Sequence, residues 1–150
     1  MRNVKRWENL INIFLFQVVV YGILFSVENI YKKGFLEHKK DIRAALENLD
    51  YMNDPEALDK EAELKGMDIA CDAIMILADR YAEYAAELAN KCEDETRKAE
   101  LLQIAENCRV VPAHKPKTYW QAIQMYWFVH LGVTSELNPW DSYSPGRLDQ

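Results

Sequence analysis

Residues 119–133 constrain this chain more than any other stretch. Tyr119, Trp120, Ala122, Ile123, Met125, Tyr126, Trp127, Phe128, Val129, Leu131 and Val133 are apolar or aromatic, and Gln121, Gln124 and His130 alone interrupt them with polar groups. A helix apolar on every side belongs inside a large protein or in a membrane. This one is too short and too close to prolines to span a bilayer, so it reads as a buried core helix. Pro112 and Pro116 set an extended or turned approach to it. Thr118 and Gln121 form the S/T-x-x-E/Q pattern that starts a helix.

A polar, turn-rich segment follows, with Glu136, Asn138, Pro139, Asp141, Ser142, Ser144, Pro145, Gly146, Arg147 and Asp149. Asn-Pro and Pro-Gly are turn signals. A buried helix delivering carboxylates, an arginine and hydroxyls into a loop is one way a scaffold positions a site. A plain surface loop uses the same residue types.

The stretch VPAHKPKTYWQAIQMYWFVHLGVTSELNPWDSYSPGRLDQ resembles glycyl radical enzymes of the pyruvate formate-lyase superfamily. The similarity is to the branch that holds the trans-4-hydroxyproline and glycerol dehydratases, many members of which bear the name formate acetyltransferase. The VPAH…P…W.A.Q..WF.HL frame and the S.GR.DQ ending carry it, and the run from NIYKKGF to YAEYAAELA fits the same family. It extends from about residue 29 to 150 and covers a minor, N-terminal part of such an enzyme. The expected organisation is an unmatched apolar segment over 1–27 and a partial pyruvate formate-lyase-like domain over 28–150. The fold class expected is mainly α, the helical N-terminal portion of a ten-stranded α/β barrel that is incomplete here.

Composition narrows the alternatives. Net charge is −6, whereas a nucleic-acid binder needs a basic face. Cys71, Cys92 and Cys108 are odd in number and lack CxxC spacing, and Cys71, within the apolar sequence of a helix, is expected to be a buried reduced thiol. The amino terminus stands apart. Arg2, Lys5 and Arg6 precede the apolar run LINIFLFQVVVYGILFSV at 10–27, a transmembrane-anchor pattern weakened by Asn12 and Gln17. The resemblance implies instead a cytoplasmic enzyme with no anchor. It also implies a substrate-contacting P-G-H-T motif just upstream of the I-Y-K-K-G run, where this chain has Tyr21, Gly22, Ile23 and Leu24. A replaced or misread start and a real anchor both stand as readings.

Between these ends the chain reads as helices joined by polar turns. Phe35, Ile42, Leu46 and Leu49 recur at helical spacing, with His38 a lone imidazole that has no ligand partner spaced with it. From residue 55 to about 91, Met67, Ala70, Ile74, Leu77, Tyr81, Tyr84 and Leu88 are expected on one face, with a bend at Gly66. The alanines of this helix allow close approach of neighbours. Asp68, Asp72 and Asp79 read as a solvated or partly paired acidic row rather than a metal site. A further helix uses Leu101, Leu102, Ala105 and Cys108.

The resemblance also implies chemistry. In this family a glycyl radical, installed by a radical S-adenosylmethionine activating enzyme, generates a thiyl on a barrel-loop cysteine. Neither motif occurs in this sequence, no catalytic residue is assigned, and the chain alone is expected to be inactive. No bound cofactor and no metal are expected, and the resemblance implies a small-molecule substrate and a homodimer. The positions matching the substrate wall are Asp141, Ser142, Asn138 and Trp140, and Arg147 with Asp149 matches a structural pair holding that loop. His114 and His130 read as satisfied core or loop histidines. The competing reading is a membrane-anchored, non-catalytic helical interaction protein.

Overall fold

The computed structural model describes residues 29–136. They form the helices α1 (Asn29–Lys32), α2 (Phe35–Glu47), α3 (Ala57–Lys91), α4 (Glu95–Val110) and α5 (Tyr119–Glu136), and no strand occurs among the described residues. The mainly α class is as the sequence predicts. Helix α3 is the spine: α2, α4 and α5 all pack on it, while α5 also touches α1 and α4.

The buried face of α3 differs from the one the aromatic spacing suggests. Ala70, Cys71, Ile74, Ala78, Ala82, Ala85 and Ala89 are buried, whereas Tyr81, Tyr84 and Leu88 are exposed. Small side chains allow a neighbouring helix axis to come close, and α4 takes that place. The bulkier residues are thereby displaced to the rim. Gly66, where the sequence suggests a bend, lies inside the continuous helix.

Helix α2 buries Phe35, Lys39 and Ile42, with Leu46 packed against the same cluster. These positions follow one another at spacings of four, three and four, one face of a helix. Lys39 therefore lies in the buried stripe and not on the charged face. Helix α4 starts at an Asp94 cap whose carboxylate accepts from the Thr96 and Arg97 amides at 2.8 and 3.2 Å. It buries Leu101, Ala105 and Cys108, while Leu102 points out. The short α1 brings Ile30 into the core, where it is 1% exposed.

Helix α5 is half-buried rather than enclosed. Met125, Phe128 and Val129 are fully buried, each such side chain contributing about 1.5–3 kcal/mol of apolar transfer. Gly132 comes close to Ile74, where an added Cβ would lie 3.3 Å from Cδ1. The opposite side, with Tyr119, Trp120, Ile123 and Trp127, is exposed. On that side Trp127 still meets Tyr81 of α3 edge to face, with ring centroids 5.0 Å apart.

Candidate functional site

The polar segment singled out from sequence begins where α5 ends. Asn138, Trp140, Asp141, Ser142, Arg147 and Asp149 all lie outside the described residues, as do residues 10–27. The described residues show the helix that precedes that segment and the elements that clamp its base.

The start of α5 is capped as the sequence predicts, with one change of partner. The Thr118 hydroxyl accepts from the Gln121 amide at 3.2 Å, and the Gln121 side chain accepts from Lys117 N–H at 2.8 Å rather than from Thr118. Upstream, Val111 and Pro112 are buried and joined by a cis peptide.

This loop also completes α2. The first amides of a helix have no partner within it. Here Phe35 N–H donates to Pro112 O at 2.9 Å and Leu36 N–H to Ala113 O at 3.1 Å. Glu37 reaches back to the Gly34 amide at 2.6 Å. Gly34 makes this docking possible: a Cβ there would sit 2.3 Å from Ala113 O and 2.4 Å from His114 Cα. The need is for space, since the Gly34 backbone is extended at φ −88° and ψ 171°.

A buried ion pair fixes α2 on α3. The Lys39 ammonium lies 2.9 Å from Asp68 Oδ1 and 2.6 Å from Asp72 Oδ2, and donates to Asp68 O at 3.2 Å. Burial alone lowers the Lys39 pKa, but hydrogen bonds to Asp72 and Asp68 outweigh it and hold it above its ordinary value. Two of the three aspartates in the acidic row are thus paired. Among the described residues no group of three metal-ligating side chains occurs.

Two further features adjoin α5, and a cleft opens between α2, α3 and α4. Tyr31 on α1 has a buried hydroxyl without a hydrogen-bond partner among the described residues, and burial, then the neighbouring Tyr126, raise its pKa. Tyr126 stacks on His130 with ring centroids 5.7 Å apart. An open cleft of about 390 Å³ is lined by Leu36, Met75, Ile76, Asp79, Cys108, Arg109 and Pro112 among others. Burial pushes the Cys71 thiol up to about 12 and Cys108 to about 11, so both stay protonated and inert as nucleophiles. His114 is exposed in the loop.

Gly34, Lys39 and Tyr31 escaped sequence reasoning. Lys39 was detectable from its spacing to Phe35 and Ile42. Nothing local marks Gly34, whose role depends on a loop nearly eighty residues away in the chain (Ala113 and His114).

The family model described as Pyruvate formate lyase-like matches residues 8–150, so the match begins upstream of residue 29, where the resemblance reads as starting. Trans-4-hydroxy-L-proline dehydratase of Clostridioides difficile is 63% identical over 123 residues, 82% of this chain and 16% of that protein. The crystal structure of hydroxyproline dehydratase from Clostridioides difficile with trans-4-hydroxy-L-proline bound aligns at TM-score 0.77 and 64% identity, over 81% of this chain and 15% of that one. A glycyl radical enzyme from Archaeoglobus fulgidus aligns at TM-score 0.65 and 32% identity, over 74% and 14%. The chain thus spans about one sixth of the dehydratase it resembles.

Proposed function

The chain belongs to the pyruvate formate lyase-like family, and from that premise we propose that it is the helical portion of a cytoplasmic glycyl radical dehydratase. Its substrate is a small hydroxylated molecule of the trans-4-hydroxy-L-proline type. The observation that carries this reading is 63% identity over 123 residues to a dehydratase of that substrate.

In this reading α5 delivers the polar segment to the substrate. Asp141 orients the substrate hydroxyl that leaves as water and carries the proton it needs, with Ser142 as a second hydrogen-bonding group. Asn138 and Trp140 complete the wall, and Arg147 with Asp149 pins the loop. A glycyl radical, installed by a radical S-adenosylmethionine activating enzyme, supplies hydrogen abstraction in a full-length homodimer. Cys71 and Cys108, buried within helices α3 and α4, do not take the thiyl role.

The membrane-anchored alternative rests on the apolar run at 10–27, which lies outside the described residues. No helix among the described residues is long and apolar enough to cross a membrane, and the family match runs through residues 10–27. The test is a chimera in which this chain replaces the matching segment of the Clostridioides difficile dehydratase. The expected kcat/KM for trans-4-hydroxy-L-proline exceeds that for glycerol at least a hundredfold, and Asp141→Asn lowers it by a similar factor with folded yield unchanged. Equal turnover of the two substrates, or an Asp141→Asn chimera of full activity, overturns the proposal.

A further inference from the structure

We propose that the cleft between α2, α3 and α4 is a binding site for a free amino acid with an apolar side chain, separate from the polar segment that follows α5. The proposal does not rest on the dehydratase reading and uses none of the residues placed in it. On α3, Asp72, Ile76 and Asp79 share one face at spacings of four and three, and all three line the cleft. Arg109 of α4 lines it as well. Ala78, Cys108 and Pro112 are buried and make an apolar floor, and the small side chain of Ala78 leaves room above it. Leu36 and Ile76, 37% and 57% exposed, stand at the rim. The cleft of about 390 Å³ falls within the range of about 300–1,000 Å³ typical of small-molecule sites.

The charges select the ligand. Asp72 is already matched by the Lys39 ammonium, 2.6 Å away. Asp79, by contrast, makes no ion pair among the described residues. The Arg109 guanidinium reaches Glu106 at 3.8 Å, beyond hydrogen-bonding distance, and does not pair with Asp79. One carboxylate and one guanidinium therefore face the same apolar floor from two helices. An amino acid head group bridges such a pair, its ammonium on Asp79 and its carboxylate on the planar fork of Arg109. An amine alone leaves Arg109 unmatched, and a carboxylate alone meets repulsion from Asp79. Exposed ion pairs contribute little singly, so affinity requires both contacts together with an apolar side chain that covers the floor.

The test uses L-leucine as the probe, titrated by calorimetry into the full 150-residue chain. A Kd of about 1 mM or tighter is expected. Isopentylamine, which lacks the carboxylate, and 4-methylpentanoate, which lacks the ammonium, are each expected to bind at least tenfold more weakly. Asp79→Asn and Arg109→Gln should each weaken leucine at least tenfold with the thermal midpoint unchanged, since both side chains are exposed. Asp59→Asn, near the start of α3, should change nothing. In the unsubstituted chain, leucine should shift the methyl resonances of Leu36 and Ile76 and spare those of Leu58. No saturable binding, equal shifts at Leu58 and Ile76, or indifference to both substitutions overturns the proposal. An amine that binds as tightly as leucine makes the cleft a cation site and overturns it too. The chimera should also bind leucine, with a tenfold loss on Asp79→Asn, and a chimera without that response overturns the assignment. Turnover enters none of these readouts, so the dehydratase reading stands or falls separately.

Discussion

Gly34 and Lys39 show how much rests on single residues. Gly34→Ala puts a Cβ 2.3 Å from a backbone oxygen that cannot rotate away. Overpacking of this kind costs about 1–3 kcal/mol, and urea denaturation should report a loss of that size, accompanied by weaker exchange protection of the Phe35 and Leu36 amides. For Lys39, removing both countercharges with Asp68→Asn and Asp72→Asn strands a buried ammonium, at a cost of about 3–5 kcal/mol. Lys39→Met is expected to cost less, because the Asp72 side chain is 51% exposed and stays hydrated. The folded-state pKa of Lys39 lies above its ordinary 10.5. Its stabilisation is therefore complete below 10.5 and is lost as pH rises through the higher folded value. Wild type should weaken over that interval, and Lys39→Met should show a flatter profile in alkaline denaturation. Sequence periodicity contained the Lys39 stripe, since Phe35 and Ile42 bracket it at four and three residues. It could not contain the pairing of Gly34 with Ala113 and His114, which only the closed fold brings together.

Between helices, the legible features were those with local causes. The Thr118 and Gln121 start of α5 and the chain of short polar turns follow from residue types nearby. The face of α3 did not, because two stripes compete on it, one of large residues and one of alanines, and only the closeness of α4 decides between them. That decision has a consequence. Ala82→Leu, in the buried stripe, should destabilise by about 1–3 kcal/mol through overpacking, whereas Tyr84→Ala, on the exposed side, should stay within about 0.5 kcal/mol. Thermal unfolding of the two variants distinguishes the faces, and the reverse order would restore the aromatic stripe as the core. At the head of α4, Asp94→Ala removes the acceptor for two amides and should cost about 1 kcal/mol, as lost N-caps do.

For the whole molecule, the sequence located a helix that is apolar on every side, and the structure covers only half of it. The difference is one of missing neighbours: α1, α3 and α4 can enclose Met125, Phe128 and Val129, but leave Trp120 46% and Ile123 39% exposed. In the dehydratase it resembles, the matched region makes up 15% of a much longer chain. The proposed substrate residues follow α5 in the sequence, and the junction of Gly34 with Ala113 and His114 fixes the loop that leads into that helix. The decisive measurement is turnover of trans-4-hydroxy-L-proline by the activated chimera carrying this chain in place of the matching dehydratase segment. Turnover within about tenfold of the parent enzyme, a loss of no more than about 1.4 kcal/mol in transition-state stabilisation, is the expected result. A chimera that folds, acquires its radical and yet leaves trans-4-hydroxy-L-proline untouched contradicts the assignment.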